Sequence, residues 1–214
     1  MEEELGEMAK FEIVPGLMFA DRTEWVTNTA LPRLGGRVDR GVRTHVFIHH
    51  TVTPDSDATP NEWEGEDEVF RRMRSLQTIR PDLGLDVPYN FVAFLVRGDK
   101  LMICEGRGED RSGAHTKGHN TRAIAVAFAG NFHDHAVDRA SLERRVALLS
   151  AFLGWLRFNP SHPEYGTFLP MVNLDSLKPE GRNVWFHSDV KATACPGRHL
   201  EAVLGKADFA KPPR

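Results

Sequence analysis

Four short apolar runs, each bounded by turn or loop residues, limit what this chain can fold into more than any other feature. They are Thr44 to His49 (THVFIH), Tyr89 to Arg97 (YNFVAFLVR), Lys100 to Cys104, and Ala123 to Ala129 (AIAVAFA). Short apolar stretches of this kind read as buried strands. Gly98-Asp99, between the second and third, reads as a hairpin turn. Two other stretches carry helical spacing. From Glu68 to Arg80, Val69, Met73, Leu76 and Ile79 recur every three or four residues with arginines opposite, and Pro81 stops the run. Asp138 is placed to cap a long helix reaching about Phe158, with Leu142, Val146, Leu149, Leu153 and Leu156 as its buried stripe. A short strand at Val184–His187 and a last helix from Pro196 to about Lys206 complete the pattern. Intermixed strands and helices predict an α/β domain, a central mixed β-sheet flanked by helices.

The chain has 214 residues, long enough for one large domain or two small ones, and no composition shift marks a second. Residues 1–40, acidic at the start and then rich in turn residues, read as an N-terminal extension packed on a domain spanning 41–214. Residues 159–183 are proline-bearing and aperiodic, and read as a loop insertion. No apolar run approaches the roughly 20 residues of a membrane span, so no membrane insertion is expected. A net charge of −3 argues against nucleic-acid binding through bulk charge. The acidic N-terminus lacks the basic and apolar signature of a secretory signal, so synthesis in the cytoplasm is expected. Two cysteines make no disulfide framework.

The densest chemistry lies in His187-Ser-Asp-Val-Lys-Ala-Thr-Ala-Cys195-Pro196-Gly197. Proline suits a first helical position, which would put Cys195 at an N-cap, where the helix dipole lowers a thiol's pKa. The segment reads either as half of a metal site or as a buried cysteine near a surface histidine. His49-His50 closes the first strand. Side chains alternate along a strand, so only one of the two faces any site. A core histidine bonded to a backbone carbonyl is the other reading of either one. Together, one histidine of the His49-His50 pair with His187 and Cys195 would give zinc three protein ligands and leave a fourth position for water, the pattern of catalytic sites. His133-Asp134-His135 has similar spacing but follows Gly130-Asn131 and reads as a solvated turn. The acidic run from Glu62 to Glu68 reads as a solvated helix start.

Four blocks in order resemble the zinc-dependent N-acetylmuramoyl-L-alanine amidases that share a fold with peptidoglycan recognition proteins and phage lysozyme-amidases. They are Phe47-Ile-His-His-Thr51, Val87-Pro-Tyr-Asn-Phe91, Gly113-Ala-His-Thr-Lys-Gly-His-Asn120 running into Ala123–Gly130, and His187–Gly197. The resemblance implies one zinc ion on His49, His187 and Cys195, with Tyr89 and Thr193 as catalytic groups. It also implies that His50, Asn90 and His115 bind substrate. The implied substrate is bacterial peptidoglycan, cut between N-acetylmuramic acid and L-alanine by a monomeric, endolysin-like enzyme acting on the wall after release. Recycling amidases of this fold use aspartate as third ligand and a glutamate on the central strand. Here Cys195 and the carboxylate-free Ala125-Val-Ala-Phe-Ala stand instead. A recognition module with little catalysis and an intracellular muropeptide-recycling amidase are the alternatives.

Overall fold

Alternation along the apolar runs builds two differently covered faces of one sheet. The computed structural model describes residues 10–26, 31–39, 42–43, 45–52, 61–158 and 184–204. Its strands are β1 (Lys10–Val14), β2 (Leu17–Ala20), β3 (His45–His50), β4 (Glu62–Trp63), β5 (Phe91–Val96), β6 (Lys100–Glu105), β7 (Ala123–Phe128) and β8 (Val184–Phe186). Its α-helices are α1 (Arg22–Trp25), α2 (Glu66–Leu76), α3 (Arg139–Phe158) and α4 (Arg198–Leu204). The strand order is β1-β2-β6-β5-β7-β3-β8, with β4 beside β5. β5, β7, β3 and β8 run parallel, while β6 returns antiparallel to β5 through Gly98-Asp99. Both turn residues have positive φ, 76° and 58°, as a tight hairpin requires.

On one face, Val46 and Ile48 of β3 and Ile124, Val126 and Phe128 of β7 pack against Leu142, Val146, Leu149 and Leu153 of α3. Asp138 caps that helix as expected, its Oδ1 accepting the Ser141 N–H at 2.8 Å. On the other face, Val69, Phe70, Met73 and Leu76 of α2 cover Val92 and Phe94 of β5 and Met102 and Cys104 of β6. The neighbouring part of that face, over β7 and β3, is different. There β7 presents Ala125 and Ala127 beside Phe47 and His49. Small residues leave room above the sheet, and the candidate site occupies it.

Three expectations need correction. Residues 10–20, read above as part of an extension packed on the domain, belong to its sheet. They form β1 and β2, and Leu17 and Phe19 are fully buried in the core. β2 runs parallel to β6, and the Phe19 ring stacks 6.3 Å from Phe152. Second, β8 ends at Phe186, so His187 opens a single 3-10 turn, His187–Asp189. Third, the last helix starts at Arg198 rather than Pro196. The expected insertion at 159–183 lies outside the described residues.

Candidate metal centre

β3 delivers His49, and the chain leaving β8 delivers His187. Because β3 and β8 are parallel neighbours, the two imidazoles meet with ring centroids 4.7 Å apart. The segment after His187 then doubles back, closed by the Ser188 N–H donating to the Cys195 carbonyl at 2.9 Å. That return puts Cys195 Sγ 3.5 Å from His49 Nδ1. One donor atom from each of His49, His187 and Cys195 lies within 4.8 Å of the other two, with no other such cluster among the described residues.

The donor set fits a tetrahedral metal ion. Imidazole nitrogen and thiolate sulfur bound at their usual distances stand about 3.6 Å apart, close to the observed Sγ to Nδ1 separation. Burial first, then His115 and His187, push His49 well below the ordinary histidine range. Burial also lowers His187. Both rings are therefore neutral near pH 7, with a lone pair to offer. The cysteine differs from expectation. It lies in a turn before α4, not at an N-cap, and burial pushes its thiol up to about 12. Its one compensating contact is the His50 backbone N–H, 3.4 Å from Sγ.

Nδ1 is turned to the other donors, and a metal held there would leave the proton of neutral His49 on Nε2. That nitrogen lies 3.2 Å from His115 Nδ1 and 3.4 Å from Thr116 Oγ1. His115, expected to bind substrate, thus stands behind the first candidate ligand. Asn120 Oδ1 fixes its backbone by accepting the N–H groups of His115 and Thr116 at 3.1 and 2.9 Å. Gly113 is needed for this arrangement, since a Cβ there would stand 2.3 Å from His115 Cδ2. Outer partners of a ligating histidine fix its tautomer and raise its basicity. If the three donors hold a metal ion, replacing His115 with alanine is expected to weaken its binding roughly 10–100-fold, read by competition with a chromophoric chelator, with the unfolding midpoint little changed.

The other expected site residues divide. The Tyr89 ring lies 5.4 Å from His49, and burial, then the neighbouring Cys195, raises its hydroxyl above the ordinary range. It stays a proton donor throughout physiological pH. Thr193 Oγ1 accepts the Cys195 N–H at 3.2 Å and keeps its own proton free to donate. His50 is not positioned to meet a substrate. It shares the α3 face with Ile48, is 6% exposed, and its Nδ1 accepts the Phe132 N–H at 3.2 Å. Asn90 is fully buried, and its amide is spent on Ala125 N–H, Gly108 O and Arg111 O. It acts as scaffold. The residue sequence reasoning missed is Arg43, fully buried beneath the loop that carries His115. An arginine just before a strand carries no signal of that role.

A mixed sheet with helices on both faces carries, at one strand end, a His-His-Cys cluster of the kind that can hold a metal ion. Residues 39–198 match the Amidase_2 family, described as N-acetylmuramoyl-L-alanine amidase, and the chain belongs to that family. A peptidoglycan-recognition protein of Drosophila simulans is 30% identical over 199 residues, 93% of this chain and 88% of that protein. The N-acetylmuramoyl-L-alanine amidase of Mus musculus is 33% identical over 162 residues, 74% of this chain but only 25% of that longer protein. The fold is that of Drosophila PGRP-LB, at a TM-score of 0.60 and 20% identity, covering 89% of this chain and 94% of the other. Human PGRP-IβC, solved with a glycosamyl muramyl pentapeptide, aligns at a TM-score of 0.61 and 22% identity over 90% of this chain and 96% of the other.

Proposed function

We propose that this chain is a zinc-dependent hydrolase that cuts the amide between N-acetylmuramic acid and L-alanine in bacterial peptidoglycan, with endolysin-like lysis of the wall as its role. The observation that carries the reading is the cluster of two neutral imidazoles and one thiol in a family named for that reaction. His49, His187 and Cys195 would hold the zinc, which supplies Lewis-acid polarisation of the carbonyl and acidification of water.

The remaining steps fall to the chain. Tyr89, protonated and beside His49, donates a hydrogen bond to the oxygen on which charge develops. Thr193 adds a second donor from the turn it closes. The His115–Thr116 pair holds His49 in one orientation, so geometry is set before substrate arrives. Tyr89→Phe is expected to lower kcat about 100-fold, the usual cost of one such donor, while zinc content stays at one per chain. Full activity in the zinc-loaded variant would remove Tyr89 from the mechanism.

The direct test is digestion of purified sacculi with and without a chelator, with products identified by mass spectrometry. Intact glycan strands and free stem peptides with new N-terminal alanine, lost with chelator and restored by zinc, support the reading. A second reading, recognition without cleavage, draws on the Drosophila simulans relative, which carries the name of a recognition protein. Sacculi bound but left intact by zinc-loaded protein would favour it.

A further inference from the structure

Beside the three donors, on the same face of the sheet, lies an aromatic row that the mechanism above does not use. Trp185 of β8 pairs in register with Phe47 of β3. Strand alternation puts His45, Phe47 and His49 on one face. The His45 and Trp185 rings are 6.1 Å apart, edge to face, and the Phe47 and His119 rings are 5.3 Å apart. Trp185 and His45 are half-buried and His119 is exposed. Trp185 precedes His187 by two residues, so the row stands about 6.6 Å along the strands from the ligands.

The tryptophan inventory makes this placement informative. Trp25, Trp63 and Trp155 are 0%, 7% and 6% exposed and serve the core. Trp185 alone of the four is half-buried rather than buried, with its indole Nε1 turned inward. A pyranose ring matches the row: an apolar C–H face for the aromatic surface, and a rim of hydroxyls for the imidazoles of His45 and His119. The inference rests on the amidase reading. In that reaction the scissile amide hangs from a sugar, so one side of the centre must accommodate a saccharide within a residue's length.

We infer that Trp185, flanked by His45 and His119, is a saccharide platform that seats the N-acetylated glycan beside the metal centre. The test uses the full chain loaded with zinc and two probes. The first is peptidoglycan glycan strands stripped of stem peptides, which contain no scissile amide. Because the other three tryptophans are buried, a change in intrinsic fluorescence on adding these strands reports Trp185. The change is expected in the wild type and absent in Trp185→Ala. The second probe is a soluble disaccharide–peptide fragment. With it, Trp185→Ala is expected to raise KM about tenfold, the scale of one aromatic contact, with the loss falling on KM rather than kcat. Trp185→Phe, which keeps an aromatic face, should recover most of it. Unchanged fluorescence in the wild type, or an unchanged KM in Trp185→Ala, overturns the platform. Wild-type protein whose fluorescence responds to glycan but which leaves sacculi uncut overturns the amidase reading and retains the platform.

Discussion

Cys195→Ala is expected to bring sacculus hydrolysis below detection and bound zinc from one ion per chain to none. The activity loss should exceed the roughly 10–100-fold that follows from disturbing outer partners of a metal site, because a third of the protein's donor set is gone. The fold should survive. Cys195 packs at the edge of a turn, and its sulfur has one backbone donor, the His50 N–H. The pH dependence of zinc uptake is the sharper readout of the same change. In the metal-free protein the thiol is held at about 12 by burial, while both histidines are already neutral at pH 7. Zinc binding must then displace one proton, from the cysteine. Affinity should rise about tenfold per pH unit between pH 7 and 9 in the wild type. In Cys195→Ala that slope should vanish along with most of the affinity. Calorimetry in buffers of different ionisation enthalpy counts the proton directly. A wild-type affinity independent of pH would mean that the thiol is not a ligand.

What the sequence made legible follows from strand geometry. His49 is at the end of an apolar strand, and period-two alternation allows only one of His49 and His50 onto the face of Phe47. The structure puts His49 there and turns His50 toward α3. The spacing from His187 to Cys195 is legible for a similar reason. It is a loop long enough to return to its own start, closed by one backbone bond. Environment was less legible. Pro196 suggested a helix start, yet Gly197, at φ 101°, inserts another turn first. A Cβ at Gly197 would stand 2.4 Å from Phe132 backbone. Cys195 is buried in that turn rather than placed at a helix N-terminus, and burial reverses the expected direction of its pKa shift. Asn90 shows the same limit. The family resemblance implies a substrate contact there, but the fold uses its amide to tie β7 to the loop after β6. β1 and β2 were hidden by brevity, being five and four residues long. The signal was present, as Phe11 and Ile13, then Leu17 and Phe19, alternate around the turn at Pro15-Gly16.

Arg43→Ala is expected to cost about 3–5 kcal/mol of stability and to loosen the centre that Arg43 never touches. Its guanidinium is fully buried and donates to five backbone carbonyls: Glu109, Arg111, Asn120, Thr121 and Ala123. These acceptors span both ends of the glycine- and histidine-rich loop that carries Gly113, His115 and Asn120. One side chain thus fastens the loop to the start of β3, the strand that ends in His49. Alanine leaves those buried carbonyls short of a partner. Lysine should rescue little, since it brings three donors from one nitrogen where the site uses a planar fork of five. Burial lowers the Arg43 pKa to about 10, which still leaves it charged in folded and unfolded chains below pH 9. The stability difference between wild type and variant should therefore be flat from pH 6 to 8. Urea unfolding measures that difference, and hydrogen exchange locates it: amide protection should fall across residues 106–122 and persist in α3. Zinc affinity should fall as in His115→Ala, because the same hydrogen bond to His49 is lost by releasing its loop rather than by deleting its ring. If affinity were unchanged while the loop exchanged freely, His115 would have no part in holding the ligand.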